Sequence, residues 1–459
     1  MLTDLIALAA LCLHTLGAIA AMHAVVHART PQGAMAWALG LVLLPYVTLV
    51  PYLYLGSSQV HGYLETPRRR PGAPPVEAGT HPACLRLDAL ATLAGRPFRR
   101  GHALQLLVDG EAAFEAMFAA MADARHEVLA QFFIVHDDHL GRRFQQALLD
   151  RAAAGVRVRL LYDGIGSHDL PESYVDALRN GGVEVRAFAG RRWRNRFQLN
   201  FRNHRKLLVI DGVRGFVGGL NVGDEYLGAR PPLSPWRDTH LGFAGPAVAD
   251  LRQAFADDWR WTTGMRLPDD IPTPPQGEAS LLVVTSGPAD PQETGSLCFT
   301  ALIHAARERL WLSTPYFVPD AAVMAALQLA VLRGVDVRVL IPSRPDHRGV
   351  FLASTLHAHE AVQRGIGIYR YQPGFLHQKA LLVDGHTAAI GSMNLDSRSF
   401  RLNFELSAIA VDDGFARTVE AMLQEDLAQC RPVTEAEYRQ APYLRRVAMH
   451  VARLFDPIL

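Results

Sequence analysis

The sequence is poor in cysteine, in net charge and in lysine. Its four cysteines lie far apart and form no Cys-x-x-Cys pair: Cys12, Cys84, Cys298 and Cys430. This spacing indicates neither a disulfide framework nor a zinc site. The 46 basic residues are matched by 45 acidic ones, so the basic excess that points to nucleic acid is missing. With 49% hydrophobic residues, the chain is too apolar to be disordered.

Charge is also missing from the start of the chain, where Arg29 is the only charged residue between Asp4 and Glu65. Residues 5–28 and 34–55 are therefore each apolar and long enough to cross a bilayer as a helix, which takes about 20 residues. No basic segment precedes the first stretch and a second one follows it, which argues against a cleaved signal peptide. We predict a hairpin of two transmembrane helices over residues 1–56.

Proline-rich stretches divide the rest of the chain. Residues 57–80 are polar and contain four prolines and a run of three arginines, a composition typical of a linker. Four more prolines lie between Leu267 and Gly277. These breaks predict a first half over residues 81–277 and a second over residues 278–459.

The two halves repeat one another. Residues 126–137 read HEVLAQFFIVHD and residues 309–320 read RLWLSTPYFVPD, each an apolar run that ends in turn residues. An amphipathic stretch follows each run and leads into AGVRVRLLYD (154–163) or RGVDVRVLIP (333–342). A glycine followed by alternating valines is typical of a helix end and a new strand. We therefore predict an α/β fold, with a mixed β-sheet flanked by helices in each half.

Lysine is so scarce that the two present, Lys206 and Lys379, stand out; the other 44 basic residues are arginine. Each lysine has a histidine two positions before it and an aspartate five after, in the units HRKLLVID (204–211) and HQKALLVD (377–384). Glycine and asparagine follow each histidine by 14 and 17 positions: Gly218 and Asn221, Gly391 and Asn394. Two matched copies argue against a chance surface pattern.

On a strand, residues two apart share a face, so each histidine and lysine point together into one site. A neutral imidazole can attack phosphorus, while a second, protonated imidazole donates a proton to the leaving alkoxide. Two ammonium groups and two carboxamides can stabilise the phosphoryl oxygens. One complete site then needs both halves. We predict that it uses neither a metal nor a cofactor.

These units resemble the signature of the phospholipase D superfamily, H-x-K-x4-D followed by G-[ST]-x-N. Within it the chain is most similar to bacterial cardiolipin synthases, in the hydrophobic pair, the linker and the segments AMAW (34–37), TPYF (314–317), SMNLDSRS (392–399) and NFE (403–405). The resemblance implies two phospholipase D-type halves about a pseudo-two-fold axis. It also implies a multi-pass protein of the inner (cytoplasmic) membrane.

The resemblance further implies the candidate site residues. They are His204, Lys206, Asp211, His377, Lys379 and Asp384 as the catalytic signature, Asn221, Asn394 and Ser392 on the substrate phosphate, and Asp238 and Glu405 as partners that orient the histidines. Either histidine can be the nucleophile. Strand alternation turns Asp211 and Asp384 away from the substrate, so we expect their role to be structural. Gly219 stands where the signature has Ser or Thr, so the first half lacks that hydroxyl.

The reaction implied by the resemblance is phosphatidyl transfer between two phosphatidylglycerol molecules, giving cardiolipin and glycerol through a phosphatidyl-histidine. Phosphatidylglycerol and membrane phospholipids are then the expected partners, and nucleic acid is not. The sequence leaves open a phospholipase D that uses water, another phosphatidyltransferase, a superfamily nuclease or a non-catalytic scaffold. The basic run from Arg191 to Arg205 is either a site for anionic headgroups or a solvated loop.

Overall fold

A computed structural model of the chain describes residues 1–28, 31–56, 63, 76–188, 200–268 and 273–457. Most of the predicted linker, Arg29 and the arginines between positions 191 and 196 lie outside these residues. The helices are α1 (Leu2–His27), α2 (Pro31–Leu43), α3 (Pro45–Leu55), α4 (Asp88–Ala94), α5 (Asp109–Ala122), α6 (His139–Ala153), α7 (Glu172–Asn180), α8 (Val248–Thr263), α9 (Thr294–Ala305), α10 (Ala321–Leu332), α11 (Arg348–Gln363), α12 (Ser397–Arg401), α13 (Asp413–Ala428), α14 (Glu435–Arg439) and α15 (Tyr443–Arg453).

The strands alternate with these helices along the chain. They are β1 (Arg99–Val108), β2 (Glu127–Phe132), β3 (Arg157–Asp163), β4 (Glu184–Phe188), β5 (Arg202–Asn203), β6 (Leu207–Ile210), β7 (Arg214–Gly218), β8 (Trp236–Arg237), β9 (Thr239–Ala244), β10 (Ala279–Ser286), β11 (Arg309–Ser313), β12 (Phe317–Val318), β13 (Asp336–Pro342), β14 (Gly367–Tyr371), β15 (Phe375–Leu376), β16 (Ala380–Val383), β17 (Thr387–Gly391), β18 (Leu395–Asp396), β19 (Asn403–Val411) and β20 (Cys430–Pro432).

One continuous mixed sheet runs through both halves, in the order β20-β14-β13-β11-β16-β17-β19-β10-β1-β9-β7-β6-β2-β3-β4. Read outward from the central pair of β1 and β10, the two halves have the same strand order. They also have the same directions: β2, β3 and β4, like β11, β13 and β14, are parallel, and the strands nearer the centre pair antiparallel. The second half has one further edge strand, β20, antiparallel to β14. A pseudo-two-fold axis between β1 and β10 produces this order, and the predicted fold class is confirmed.

The sheet is covered on both faces, so its inner strands are apolar throughout, as in LLVI of β6 and ALLV of β16. On one face, α5, α6 and α7 pack over the first half and α9 and α10 over the second. On the other face, α8 and α13 share a single core, in which Phe255 and Trp259 lie in the same cluster as Val419 and Leu423. The two halves are therefore joined by a common core as well as by the sheet.

The N-terminal segment forms one long helix and two short ones. Among the described residues, α1 alone is long and apolar enough to cross a membrane. The second predicted span is wrong as a continuous helix, because Pro45 lacks an N–H and the chain breaks at Leu44. The Thr48 hydroxyl donates to the Gly40 carbonyl at 2.9 Å and so links α3 to α2 across the break.

Small residues allow α1 to pack closely against α2 and α3. A Cβ atom at Gly17 would lie 2.3 Å from the Leu41 carbonyl oxygen, so only glycine fits there. Ala21 and Ala24 continue the same side of α1 and are buried with Leu41. Close contact between small residues stabilises helix pairs where lipid offers no hydrophobic gain.

Candidate active site

Two very short strands bring the halves together at the site. β5 pairs in parallel with the start of β19, and β15 pairs in parallel with β8. Because each pairing ends one residue before a histidine, the register sets His204 beside Glu405 and His377 beside Asp238. The backbone continues the pairing, since the His204 N–H donates to the Phe404 carbonyl at 2.9 Å. Each histidine therefore meets a carboxylate of the opposite half.

The carboxylates hold one nitrogen of each imidazole ring. His204 Nδ1 lies 3.0 Å from both Glu405 carboxylate oxygens, and His377 Nδ1 lies 2.6 Å from Asp238 Oδ2. All four side chains are buried. A carboxylate on Nδ1 sets the ring orientation and leaves Nε2 for a substrate. Sequence reasoning named both carboxylates but expected each in the same half as the histidine it holds. That pairing is wrong, because the parallel pairings of β5 with β19 and of β15 with β8 set each carboxylate beside the histidine of the other half.

Both histidines line one cavity of about 670 Å³. Its walls come from both halves: Phe133, Ile134, His136, Asp137, Asp138, Gly166, His168, Asp169, Asn221, Glu225, Tyr226, Arg230, Trp236, Tyr316, Asp346 and His347. A volume of this size is within the range of small-molecule sites. The cavity can therefore admit a polar headgroup to both imidazoles at once.

Burial controls the ionisation of the two histidines. It lowers the pKa of His204 to about 4, against the opposing effect of Glu405. Burial, together with the charges of Lys379 and Lys206, holds the pKa of His377 well below its usual range. Both imidazoles are therefore neutral at neutral pH before a substrate binds. A neutral imidazole is the nucleophilic form.

The two lysines lie against their own histidines. Lys206 Nζ donates to the His204 carbonyl at 2.8 Å, and Lys379 Nζ lies 3.0 Å from His377 Nδ1 and donates to the His377 carbonyl. Burial lowers the pKa of Lys379 to about 8 and that of Lys206 well below its ordinary value. Each lysine thus places an ammonium donor beside a histidine. Burial disfavours the charged form of the lysine, and a bound anion would offset that penalty.

The difference between Ser392 and Gly219 has a steric cause. The Ser392 hydroxyl donates to Glu405 Oε2 at 2.5 Å, and Ser392 is fully buried and outside the cavity lining. At Gly219, a Cβ atom would lie 2.1 Å from Asp238 Oδ1. A side chain there would displace the carboxylate that holds His377. Ser392 therefore contacts a histidine partner in this structure, whereas the sequence predicted a contact with phosphate.

The two asparagines occupy different surroundings. Asn221 lines the cavity, accepts from the Ile134 N–H at 3.1 Å and donates to the Tyr226 hydroxyl at 2.7 Å. Asn394 is buried, and its Oδ1 has no hydrogen-bond partner within the described part of the chain. Asn221 is thus held at the cavity wall, while the second carboxamide keeps an unsatisfied acceptor.

Asp211 and Asp384 bind backbone instead of facing the cavity. Asp211 accepts from three successive N–H groups, those of residues 125–127, at 2.7–2.8 Å. Asp384 accepts from the N–H groups of residues 307–309 at 2.8–3.2 Å. Both aspartates have left-handed φ angles, of 52° and 53°. They connect the turn after each histidine unit to the start of the neighbouring strand, β2 in the first half and β11 in the second.

Sequence reasoning missed several residues of the cavity wall. Tyr316 donates to Asp346, Tyr226 contacts Asn221, and the buried Trp236 keeps an indole N–H without a partner among the described residues. His136 bridges Asp169 and Glu225, and the hydrogen bond with Glu225 raises the pKa of His136 to about 9. Tyr316 and His136 both follow the ends of repeated strands, which was the signal available in the sequence.

The described residues contain no group of three or more His, Cys, Asp or Glu side chains that could hold a metal ion. The site instead presents imidazoles, ammonium groups and carboxamides. These groups suit an anionic phosphodiester.

Paired histidine units that meet across a duplicated sheet define the phospholipase D type of protein. Residues 117–230 and 299–427 match the family model described as "Cardiolipin synthase, PLD-like domain". The chain belongs to this family.

Relatives and solved structures agree with this assignment. The chain is 53% identical to cardiolipin synthase A of Pseudomonas entomophila, over 97% of each chain. It is 54% identical to cardiolipin synthase A of Pseudomonas aeruginosa, over 97% of this chain and 95% of the relative. The phosphatidylserine synthase structure from Haemophilus influenzae shares the fold, with a TM-score of 0.59 at 12% identity over 82% of this chain and all of that one.

These comparisons confirm the predicted family and the predicted class of enzyme, a phosphatidyltransferase. They also indicate phospholipid substrates and a membrane-associated protein. A multi-pass arrangement is not supported, since α1 is the single helix of sufficient length in the described residues.

Proposed function

We propose that this protein transfers a phosphatidyl group from one phosphatidylglycerol to a headgroup hydroxyl of a second, which yields cardiolipin and glycerol. One observation carries the proposal: two buried histidines, each held by a carboxylate of the other half, face one cavity. The names of relatives that are more than half identical over nearly the whole chain support the choice of lipid.

In the first half-reaction, Nε2 of one histidine attacks the phosphorus atom of phosphatidylglycerol. The bond from phosphorus to the headgroup oxygen breaks as the phosphorus–nitrogen bond forms, and the other histidine donates a proton to the departing glycerol. Both imidazoles are neutral in the free site, so the proton donor is charged only once an anionic phosphate has bound beside it. Lys206, Lys379 and Asn221 stabilise the phosphoryl oxygens.

In the second half-reaction, a hydroxyl of another phosphatidylglycerol headgroup attacks the phosphatidyl-histidine. The histidine that gave up its proton now accepts one from this hydroxyl, and the phosphorus–nitrogen bond breaks. The free nucleophile is restored and one phosphodiester has replaced another. The reaction therefore needs no nucleotide. Asp238 and Glu405 stabilise the imidazolium that forms in each step.

The proposal includes a hairpin in the inner membrane. α1 has 26 residues and would reach about 39 Å. α2 and α3 together cover residues 31–55 and pack back along α1, so the kinked pair is long enough to return across the bilayer. A cysteine at Gln32 and one at Leu332 should then be labelled from opposite sides of the membrane by an impermeant thiol reagent. Labelling of both from one side would contradict the hairpin.

The decisive experiment is product analysis with full-length protein in vesicles of labelled phosphatidylglycerol. We expect cardiolipin and glycerol in equal amounts, and neither product from His204→Ala. Phosphatidic acid as the only lipid product would identify water as the acceptor and contradict the proposal. Cleavage of a nucleic-acid substrate in a parallel reaction, without cardiolipin, would identify a nuclease instead.

A further inference from the structure

The C-terminal helix α15 exposes an apolar stripe on a surface that the active site does not use. Its residues are spaced as one face of a helix and lie largely in solvent: Leu444 (78% exposed), Val447 (39%), Val451 (49%) and Leu454 (77%). Tyr443 and Phe455 extend the stripe at its two ends, and both are exposed. Such a continuous apolar face on a folded protein marks an interaction surface.

The opposite side of α15 holds the helix in place. Met449 and Ala452 are buried, and Ala452 packs in a small core with Ala353 of α11. The Asp456 carboxylate lies 2.7 Å from His357 Nε2, which adds a polar contact at the end of the helix. The stripe is therefore presented outward in a fixed orientation.

The charges of α15 favour an anionic partner. The segment from Tyr443 to Asp456 carries three arginines, at positions 445, 446 and 453, and a single carboxylate, that of Asp456. Arg446 lies over the Tyr438 ring at 5.9 Å and Arg453 pairs with Glu360, while Arg445 is exposed. α15 itself contains three arginines and no carboxylate, and a net positive helix with an exposed apolar face suits the interface of an anionic bilayer.

The position of α15 connects this surface to the catalytic cavity. α15 packs along α11, and Asp346 and His347, which line the cavity, come immediately before α11. α1 is long and apolar enough to cross a membrane, and in that position it would hold the same chain at the bilayer.

We infer that α15 lies on the anionic membrane surface, with Leu444, Val447, Val451 and Leu454 among the acyl chains, and holds the mouth of the cavity against the bilayer. A lipid headgroup could then enter the cavity while its acyl chains stay in the membrane. This goes beyond the proposed function and rests on it only for the identity of the lipid that enters.

The first test places a fluorophore on the stripe of the full-length protein. In a Cys12→Ser, Cys430→Ser background, Leu444→Cys or Val451→Cys would carry an environment-sensitive dye, in vesicles of phosphatidylglycerol and phosphatidylcholine with a shallow spin-labelled lipid as quencher. We expect an emission loss of about twofold, because an interfacial helix buries its apolar face at this depth. Leu332→Cys, on α10 and 75% exposed, is the matched control and should keep its emission.

Two outcomes of this test would overturn the inference. One is quenching at Leu444 no greater than at Leu332. The other is a disulfide between the Leu444→Cys positions of two chains together with weak quenching, which would show that a second copy covers the stripe. The fluorescence measurement requires no catalysis, so its result tests the docking of α15 even if the protein makes no cardiolipin.

The second test separates membrane docking from catalysis. The triple variant Leu444→Gln, Val451→Gln, Leu454→Gln should lose about tenfold in turnover on vesicles, where the cavity mouth must reach the bilayer. In mixed detergent micelles, which bring lipid to the enzyme without a flat surface, its turnover should match that of the unchanged protein. An equal loss in both systems would point to a folding defect and contradict the docking role.

Discussion

At the scale of residues, the central feature is that each catalytic histidine is held by a side chain from the other half. The Nδ1 atoms of His204 and His377 contact Glu405 and Asp238. Because both carboxylates are buried, no water can take over their role at Nδ1 without rearrangement. The carboxylates therefore determine both the tautomer and the direction of Nε2.

We expect Glu405→Gln and Asp238→Asn each to lower kcat about 10³-fold, because a neutral amide can stabilise the wrong tautomer and cannot stabilise the imidazolium. Steady-state kinetics on phosphatidylglycerol micelles measures this. The control is Glu115→Gln, at an exposed carboxylate that pairs with exposed Arg143, which should keep full activity. Losses below tenfold in both site variants would contradict the positioning role.

The lysines raise a separate question, because arginine fills every other basic position. We expect Lys206→Arg and Lys379→Arg to lower kcat by about 10²–10³-fold, the loss typical of a misplaced oxyanion donor. The planar guanidinium is too large for a buried position next to a histidine carbonyl. Near-normal turnover of both variants in micelles would show that any cation serves.

Lys379 also predicts a pH dependence. Burial lowers the pKa of Lys379 to about 8, so its ammonium is charged below that pH and neutral above it. We expect kcat/KM, which reports the free enzyme, to fall as pH rises through about 8. A bound phosphate favours the charged lysine, so kcat should fall only at higher pH. In Lys379→Arg the residual kcat/KM should lose this alkaline decline; an unchanged decline would assign it to another group.

At the scale of elements, the turn after each histidine strand depends on one aspartate. Asp211 and Asp384 each accept from three successive backbone N–H groups and adopt left-handed φ angles. Aspartate tolerates this conformation better than most residues. The same carboxylate thus accepts the backbone N–H groups at the start of one strand and lies in the turn that ends another. This double role explains why each aspartate follows its histidine at the same sequence spacing.

We expect Asp384→Ala to lower the free energy of unfolding by about 1–3 kcal/mol, because buried donors lose their acceptor. Asp211→Ala should cost less, since Asp211 is only partly buried and water can replace it. Thermal unfolding measures the loss of stability in each variant. The kcat of the folded fraction should stay near normal. A large loss of kcat with an unchanged melting temperature would instead assign these aspartates to catalysis.

At the scale of the whole molecule, one sheet and one shared core make the halves inseparable. β1 and β10 pair at the centre, and α8 and α13 lie in the same hydrophobic cluster. Glu405 and Asp238 each hold the histidine of the other half, which adds a chemical reason for the duplication. A single half would lack the carboxylate that orients its histidine. The active site is therefore a property of the pair.

We expect His204→Ala and His377→Ala each to abolish cardiolipin formation, because nucleophile and proton donor come from different halves of one chain. Mixing the two variants should restore nothing, since the halves do not exchange once folded around a common core. Product analysis in cells that lack other such enzymes measures both. Restored activity on mixing would mean that the site forms between two chains.

The sequence alone determined the family, the duplicated α/β fold and both histidine units. The matched spacings around Lys206 and Lys379 are local, so they can be read without a structure. It also named Asp238 and Glu405. It predicted a second apolar span over residues 34–55 as one helix that tolerates Pro45, whereas the structure divides this span at Leu44 into α2 and α3.

Only the tertiary structure decided which carboxylate serves which histidine, where Ser392 donates, and which residues line the cavity. These facts depend on the short pairings of β5 with β19 and of β15 with β8, which join residues about 140–200 positions apart. Two-residue strands have too little periodicity to be read from a sequence. Their register is set by the packing of the two halves around the pseudo-two-fold axis.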